Sequence, residues 1–148
     1  IRSIGENKDI DALVSLSAFS SLEDFLQTMR EALLPMIPAE QLNIVTGEIV
    51  RDKYGVDSSV SSPLYALCGL DNRPILMMHS RQDTQVPYSC FEKLTAEASK
   101  YTNDIDTMTV EGDEHFICKD FTHPAADKEY MRRLMRFIRK LTAKHPSV

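Results

Sequence analysis

Two residues in this sequence are spaced for proton transfer. Asp83 follows the apolar run Pro74-Ile75-Leu76-Met77-Met78-His79, and His115 follows the run Thr107-Met108-Thr109-Val110-Glu111. Each comes a few residues after a segment that reads as a strand, and the thirty-two positions between them leave room for a helix and the second strand. In a parallel α/β sheet the loops at the carboxyl ends of the strands share one edge, and neighbouring strands lie only about 4.8 Å apart. A carboxylate and an imidazole on adjacent loops can then meet. An imidazole serves as a general base when a carboxylate holds its other nitrogen, fixes its tautomer and stabilises the imidazolium. Taken singly, an Asp in a turn usually bonds local backbone, and a His after a strand is usually an ordinary surface residue. Together, at the ends of consecutive strands, they read as a catalytic pair.

The elements that must position this pair are legible as hydrophobic periods. Ala12-Leu13-Val14-Ser15-Leu16-Ser17 and the run 74–79 are nearly continuous in apolar character, as strands covered on both faces must be. The third run, 107–111, alternates more and is expected nearer an edge. Leu22, Phe25, Leu26, Met29 and Leu33 form one helical stripe, with Ser20 and Glu23 as a capping box and Pro35 and Pro38 beyond its end. Further helices are expected over 40–54, with Gly55 as its stop, and over 88–101. In the last helix Met131, Leu134, Met135, Ile138 and Leu141 form the expected apolar face, with Arg132, Arg133, Arg136, Arg139 and Lys140 on the rest. Residues 58–63 read as a loop. Strand, helices, strand, helix, strand, helix is the alternation of an α/β sheet.

The two loop segments also resemble a known family. Pro74-Ile75-Leu76-Met77-Met78-His79-Ser80-Arg81-Gln82-Asp83-Thr84-Gln85-Val86-Pro87 resembles the segment of α/β-hydrolases that ends a core strand and delivers the triad acid. Members commonly have glycine after that histidine, where this chain has Ser80. Val110-Glu111-Gly112-Asp113-Glu114-His115-Phe116 resembles their final strand and catalytic-histidine loop. Ser62-Pro63-Leu64 is similar to prolyl oligopeptidase-like and dienelactone hydrolase-like members, and residues 9–21 resemble the strand after the nucleophile helix.

The resemblance implies a partial α/β-hydrolase fold of about three parallel strands flanked by helices, without the N-terminal half of the sheet. Residues 1–148 would be the C-terminal part of one domain, with a lid-like helical insertion at about 22–57. It implies a serine hydrolase of esterase or peptidase type, with Asp83 as the acid and His115 as the base, acting in the intact protein on a small acyl ester or a peptide. In the family the order is Ser, Asp, His, and the serine sits in a G-x-S-x-G elbow. No two of Gly5, Gly47, Gly55, Gly69 and Gly112 are four positions apart. The nucleophile is therefore expected upstream of Ile1, and the chain alone is expected to be inactive, because triad members act as a unit. The rival reading is a non-catalytic α/β-hydrolase-like module for binding or assembly. Phe19, Phe25, Leu26 and Met29 are the expected lining of an acyl pocket, although such a stripe serves equally as a helix's core face.

Composition narrows the partners. A net charge of −5 argues against nucleic acid and anionic membrane surfaces. No apolar run approaches the roughly 20 residues that span a bilayer. Three cysteines without a CxxC pair point to a reducing, cytoplasmic setting rather than a disulfide framework. His115, Cys118, Asp120 and His123 match no common zinc spacing, so neither a metal nor a cofactor is expected. The chain starts without Met and without a signal sequence, and is expected to begin inside a longer product. Its first strand would then have a free edge, which favours a homodimer or strand exchange.

Overall fold

The middle strand of the sheet is buried on both faces: Ile75, Leu76, Met77 and Met78 are apolar, and His79 and Ser80 after them are buried as well. The computed structural model describes residues 1–57, 62–113 and 115–144. The first helix, α1 (Arg2–Glu6), precedes β1 (Leu13–Leu16). Next come α2 (Leu22–Leu33), α3 (Ala39–Tyr54) and α4 (Pro63–Ala66), the last running into a 3-10 turn at Leu67–Gly69. Then follow β2 (Ile75–Ser80), α5 (Tyr88–Ala98), β3 (Ile105–Val110), a 3-10 turn at Pro124–Ala126 and α6 (Lys128–Lys144).

The strand order is β1-β2-β3, all parallel. Leu13 sits opposite Ile75, and Ile75 opposite Ile105. All six residues of β2 are buried, as befits a central strand. β3 lies at an edge and alternates, as its sequence predicts. Side chains of β2 point alternately to two cores. Ile75 and Met77 pack with Ile4, Leu67, Leu70, Phe91, Leu94 and Ala98, while Leu76 and Met78 pack with Met108, Ile117 and Phe137. Helices therefore cover both faces of the sheet.

Several expectations are corrected. The cap of α2 is Ser21, whose side chain accepts from Asp24 N at 3.1 Å. Ser20 lies one residue outside the helix; its carbonyl accepts from Leu64 N and its hydroxyl donates to the Asp24 carboxylate. The inward face of α6 is Tyr130, Leu134, Phe137 and Leu141, with Phe137 only 1% exposed, whereas Met135 and Ile138 face outward. Two overlapping apolar stripes run along this helix, and only its docking on the sheet selects one. Part of its basic face is also explained by the fold, since Arg136 pairs with Asp106 and Lys140 with Asp104.

The expected stop of α3 holds: Gly55 takes φ +65° and its N–H donates to Arg51 O at 2.8 Å. Residues 58–61 of the expected loop, Glu114 of the histidine loop and the side chain of Leu33 lie outside the described residues. The short helices α1 and α4 were not expected, although α4 carries a local signal: Ser62 caps it, accepting from Tyr65 N at 3.0 Å, and Pro63 is its first residue. α1 crosses the 3-10 turn so closely that a Cβ on Gly5 would lie 2.1 Å from Ala66 O, and one on Gly69 2.1 Å from Gly5 O. Arg73 fastens this corner, donating to the carbonyls of Ile4, Asn7, Ile10, Gly69 and Leu70. Among the described residues no helix is long and apolar enough to cross a membrane.

Candidate active site

The β2–β3 ladder continues past the strands, and that continuation brings the two loops together. Arg81 N donates to Val110 O and Gln82 N to Gly112 O, each at 2.9 Å. Gly112 turns the chain at φ +128°, a backbone setting that favours glycine. Asp83 is the next residue after this ladder on one side, and His115 lies three residues beyond it on the other.

The Asp83 side chain is fully buried in a turn that grips it. Its Oδ1 accepts from Gln85 N at 2.8 Å and from Val86 N at 2.9 Å. Its Oδ2 is 2.8 Å from His115 Nδ1. A carboxylate accepts and does not donate, so His115 carries its proton on Nδ1 and keeps the Nε2 lone pair for a proton from elsewhere. The His115 side chain is 20% exposed, enough for access to a reactant. Phe116 meets its ring edge-on, with centroids 5.1 Å apart.

The histidine loop is anchored from the far side of the sheet. Ser17, just after β1, is buried and gives its hydroxyl proton to the backbone carbonyl of His115. The loop then passes through Ile117 at φ +72°, a strained setting for a β-branched residue. Ile117 is held there by burial in the core beside Phe137. Ser17 itself has φ +44° at a strand end, yet a nucleophile needs its O–H directed at a base. The Ser17 proton goes to a peptide carbonyl, so this serine is a tether.

A cleft of about 460 Å³ opens beside His115, with walls that include Leu16, Phe19, Phe25, Pro63 and Val86. Phe19 and Phe25 stand together, ring centroids 5.8 Å apart. Of the four residues expected to line a pocket, these two do so. Leu26 and Met29 lie outside the lining, half-buried along α2.

Farther along the loop, Asp120, Thr122 and His123 form a small exposed cluster of their own. Asp120 accepts from Thr122 and lies 3.1 Å from His123 Nδ1 on the surface, while Cys118 is buried. Hydrogen bonds from Thr122 hold the Asp120 carboxyl below its ordinary value of 3.8. Among the described residues no group of three or more His, Cys, Asp or Glu could hold a metal ion. Sequence reading missed His79, whose buried ring lies beneath the Asp83 turn; the apolar run around it was the available signal, since a polar residue there must find a partner.

Comparison with known proteins identifies the family and the fold. Residues 18–145 match the family model of the prolyl oligopeptidase family. Among solved structures, the chain is similar to an esterase of Pyrococcus furiosus, with 16% identity and a TM-score of 0.62 over 94% of this chain and 48% of that one. It is also similar to a thermophilic esterase of the planctomycete Thermogutta terrifontis, solved with butyrate bound, with 19% identity and a TM-score of 0.58 over 93% of this chain and 46% of that one. No curated protein matches. The likeness to these esterases establishes the fold, three parallel strands of an α/β-hydrolase with flanking helices, and the chain spans about half their length. Because the family match takes in both loops of the site and every element after β1, the chain belongs to the prolyl oligopeptidase family.

Proposed function

We propose that this chain supplies the acid and the general base of a serine hydrolase whose nucleophile lies outside residues 1–148. The single observation that carries this is the 2.8 Å contact between His115 Nδ1 and the buried Asp83 Oδ2 at the wall of an apolar cleft. His115 Nε2 takes the proton of the serine hydroxyl as its oxygen attacks the acyl carbon, and Asp83 stabilises the imidazolium that forms. The same proton passes to the leaving alcohol or amine, and water then releases the acid from the acyl-enzyme through the reverse proton transfers.

The substrate class is a small acyl ester or a peptide with an uncharged acyl side. Phe19, Phe25 and Val86 offer such a group apolar contact, and among the described residues no Asp, Glu, Lys or Arg side chain lines the cleft. The α2–α3 hairpin serves as a lid: Phe25 from α2 reaches the cleft, and α3 buries no residue of its own among the described ones. The three cysteines are free, which suits a reducing, cytoplasmic setting.

Fluorophosphonate labelling tests the assignment. The 148-residue chain is expected to stay unlabelled, and the full-length gene product to be labelled at an elbow serine. His115→Ala in that product should lower ester hydrolysis by at least about a thousandfold. Labelling of the short chain, or full activity in the variant, would refute the proposal. A full-length product that takes no label and hydrolyses nothing would instead be a binding or assembly module.

A further inference from the structure

His79 is the fifth residue of β2 and faces the same way as Ile75 and Met77, toward α5. It is 1% exposed. The rings of Tyr88 and Phe91 pack against it, with centroids 5.9 and 5.8 Å away. An apolar side chain would fill this place without the penalty of burying an imidazole.

What distinguishes the imidazole is the bond it makes. His79 Nε2 lies 2.9 Å from the carbonyl of Val86, and a carbonyl accepts, so Nε2 carries a proton and donates it. The N–H of that same Val86 holds Asp83 Oδ1, and the Val86 side chain lines the cleft. His79 Nε2 also lies 3.6 Å from Asp83 Oδ2, the oxygen that meets His115. One buried ring thus touches the turn at the point where the acid and the cleft wall are both fixed.

We propose that His79 is a positioning residue for the Asp83–His115 pair: by donating to Val86 O it pins the turn whose N–H groups aim the carboxylate at His115. This rests on the roles given to Asp83 and His115 above. Without the donor, the Val86 carbonyl is a buried acceptor with no partner, and the turn must reopen to water or shift to satisfy it. Either movement carries Asp83 Oδ1 with it, and the acid loses its fixed direction. An error of about 1 Å at such a group is enough to lower turnover roughly a hundredfold.

The test reads the His115 Nδ1 proton directly by NMR on the nitrogen-15-histidine-labelled chain, which has only four histidines. A carboxylate-bound imidazole proton resonates far downfield and exchanges slowly. His79→Leu should displace or broaden this resonance and speed its exchange by about tenfold. His79→Gln, which carries an amide donor to the position of Nε2, should restore it, while His79→Asn, too short to reach, should not. A His79→Leu chain that melts lower but keeps the wild-type resonance and exchange would overturn the proposal and leave His79 as core filling. Should His79→Leu fail to fold, the Gln and Asn variants decide: equal spectra for the two would overturn it. Asp83→Asn is the separate control. If the wild type lacks the downfield proton, or Asp83→Asn leaves it unmoved, the acid–base pair itself fails, which is distinguishable from failure of the His79 inference alone.

Discussion

At the scale of single residues, His115 is held through its backbone as much as through its ring. Ser17 reaches across from the end of β1 to its carbonyl, and Ile117 keeps the following turn in a left-handed conformation. Ser17→Ala would leave a half-buried carbonyl without its donor, and a loss of about 1 kcal/mol is expected from urea unfolding, with faster amide exchange confined to the histidine loop. At Ile117 two effects oppose each other. Removing the side chain forfeits core packing, but glycine also relieves the strain at φ +72°. Ile117→Ala should therefore be less stable than Ile117→Gly by about 1 kcal/mol, the reverse of the order at ordinary helix positions. Equal unfolding midpoints for the two would show that the turn is unstrained.

At the scale of elements, the docking of each helix decides which of its residues matter. Phe137 fills the core between α6 and the sheet, and Ile138 beside it is 39% exposed. Phe137→Ala should cost about 3–5 kcal/mol and Ile138→Ala under about 1, measured by denaturant midpoints. The foot of the α2–α3 hairpin depends on charge. Burial by itself raises the Asp24 pKa, but hydrogen bonds from Lys93 and Ser20, together with the Lys93 charge, outweigh it and hold the group below its ordinary 3.8. A depressed carboxyl stabilises the fold above its unfolded value, and that contribution disappears as the pH falls through the lowered one. The wild type should accordingly lose more stability than Asp24→Asn on acidification from about pH 5 to below 3. Parallel acid-unfolding curves for the two proteins would remove the ion pair from this account.

At the scale of the whole molecule, β1 pairs with β2 on one side and, among the described residues, has no strand on the other. Leu13 and Ser17 donate their N–H groups inward to β2, and Leu16 between them is 39% exposed. The esterases of the same fold are about twice as long as this chain. An open, apolar strand edge is a template for pairing. When the 148 residues are prepared alone, self-association through β1 is expected, with a sedimentation coefficient that rises with concentration. A monomer at every concentration would mean that this edge is protected.

Much of the fold was readable from order and period. Three apolar runs separated by helical stripes imply a parallel sheet, and a parallel sheet puts the loops holding Asp83 and His115 on one edge whatever else the protein does. Local chemistry also marked the stop at Gly55, because a left-handed cap needs only the residue itself. Features that depend on distant partners were not readable. Arg73 bonds carbonyls up to 69 positions away, Ser17 a carbonyl 98 away, and the inward face of α6 depends on which of two apolar stripes meets the sheet. His79 looked like one more residue in a strand until the turn after β2 folded back over it. Sequence determines which chemistry is available and roughly where along the chain, since those follow from residue type and near neighbours. Tertiary packing decided which groups touch, because contact between remote segments is set by the whole chain at once.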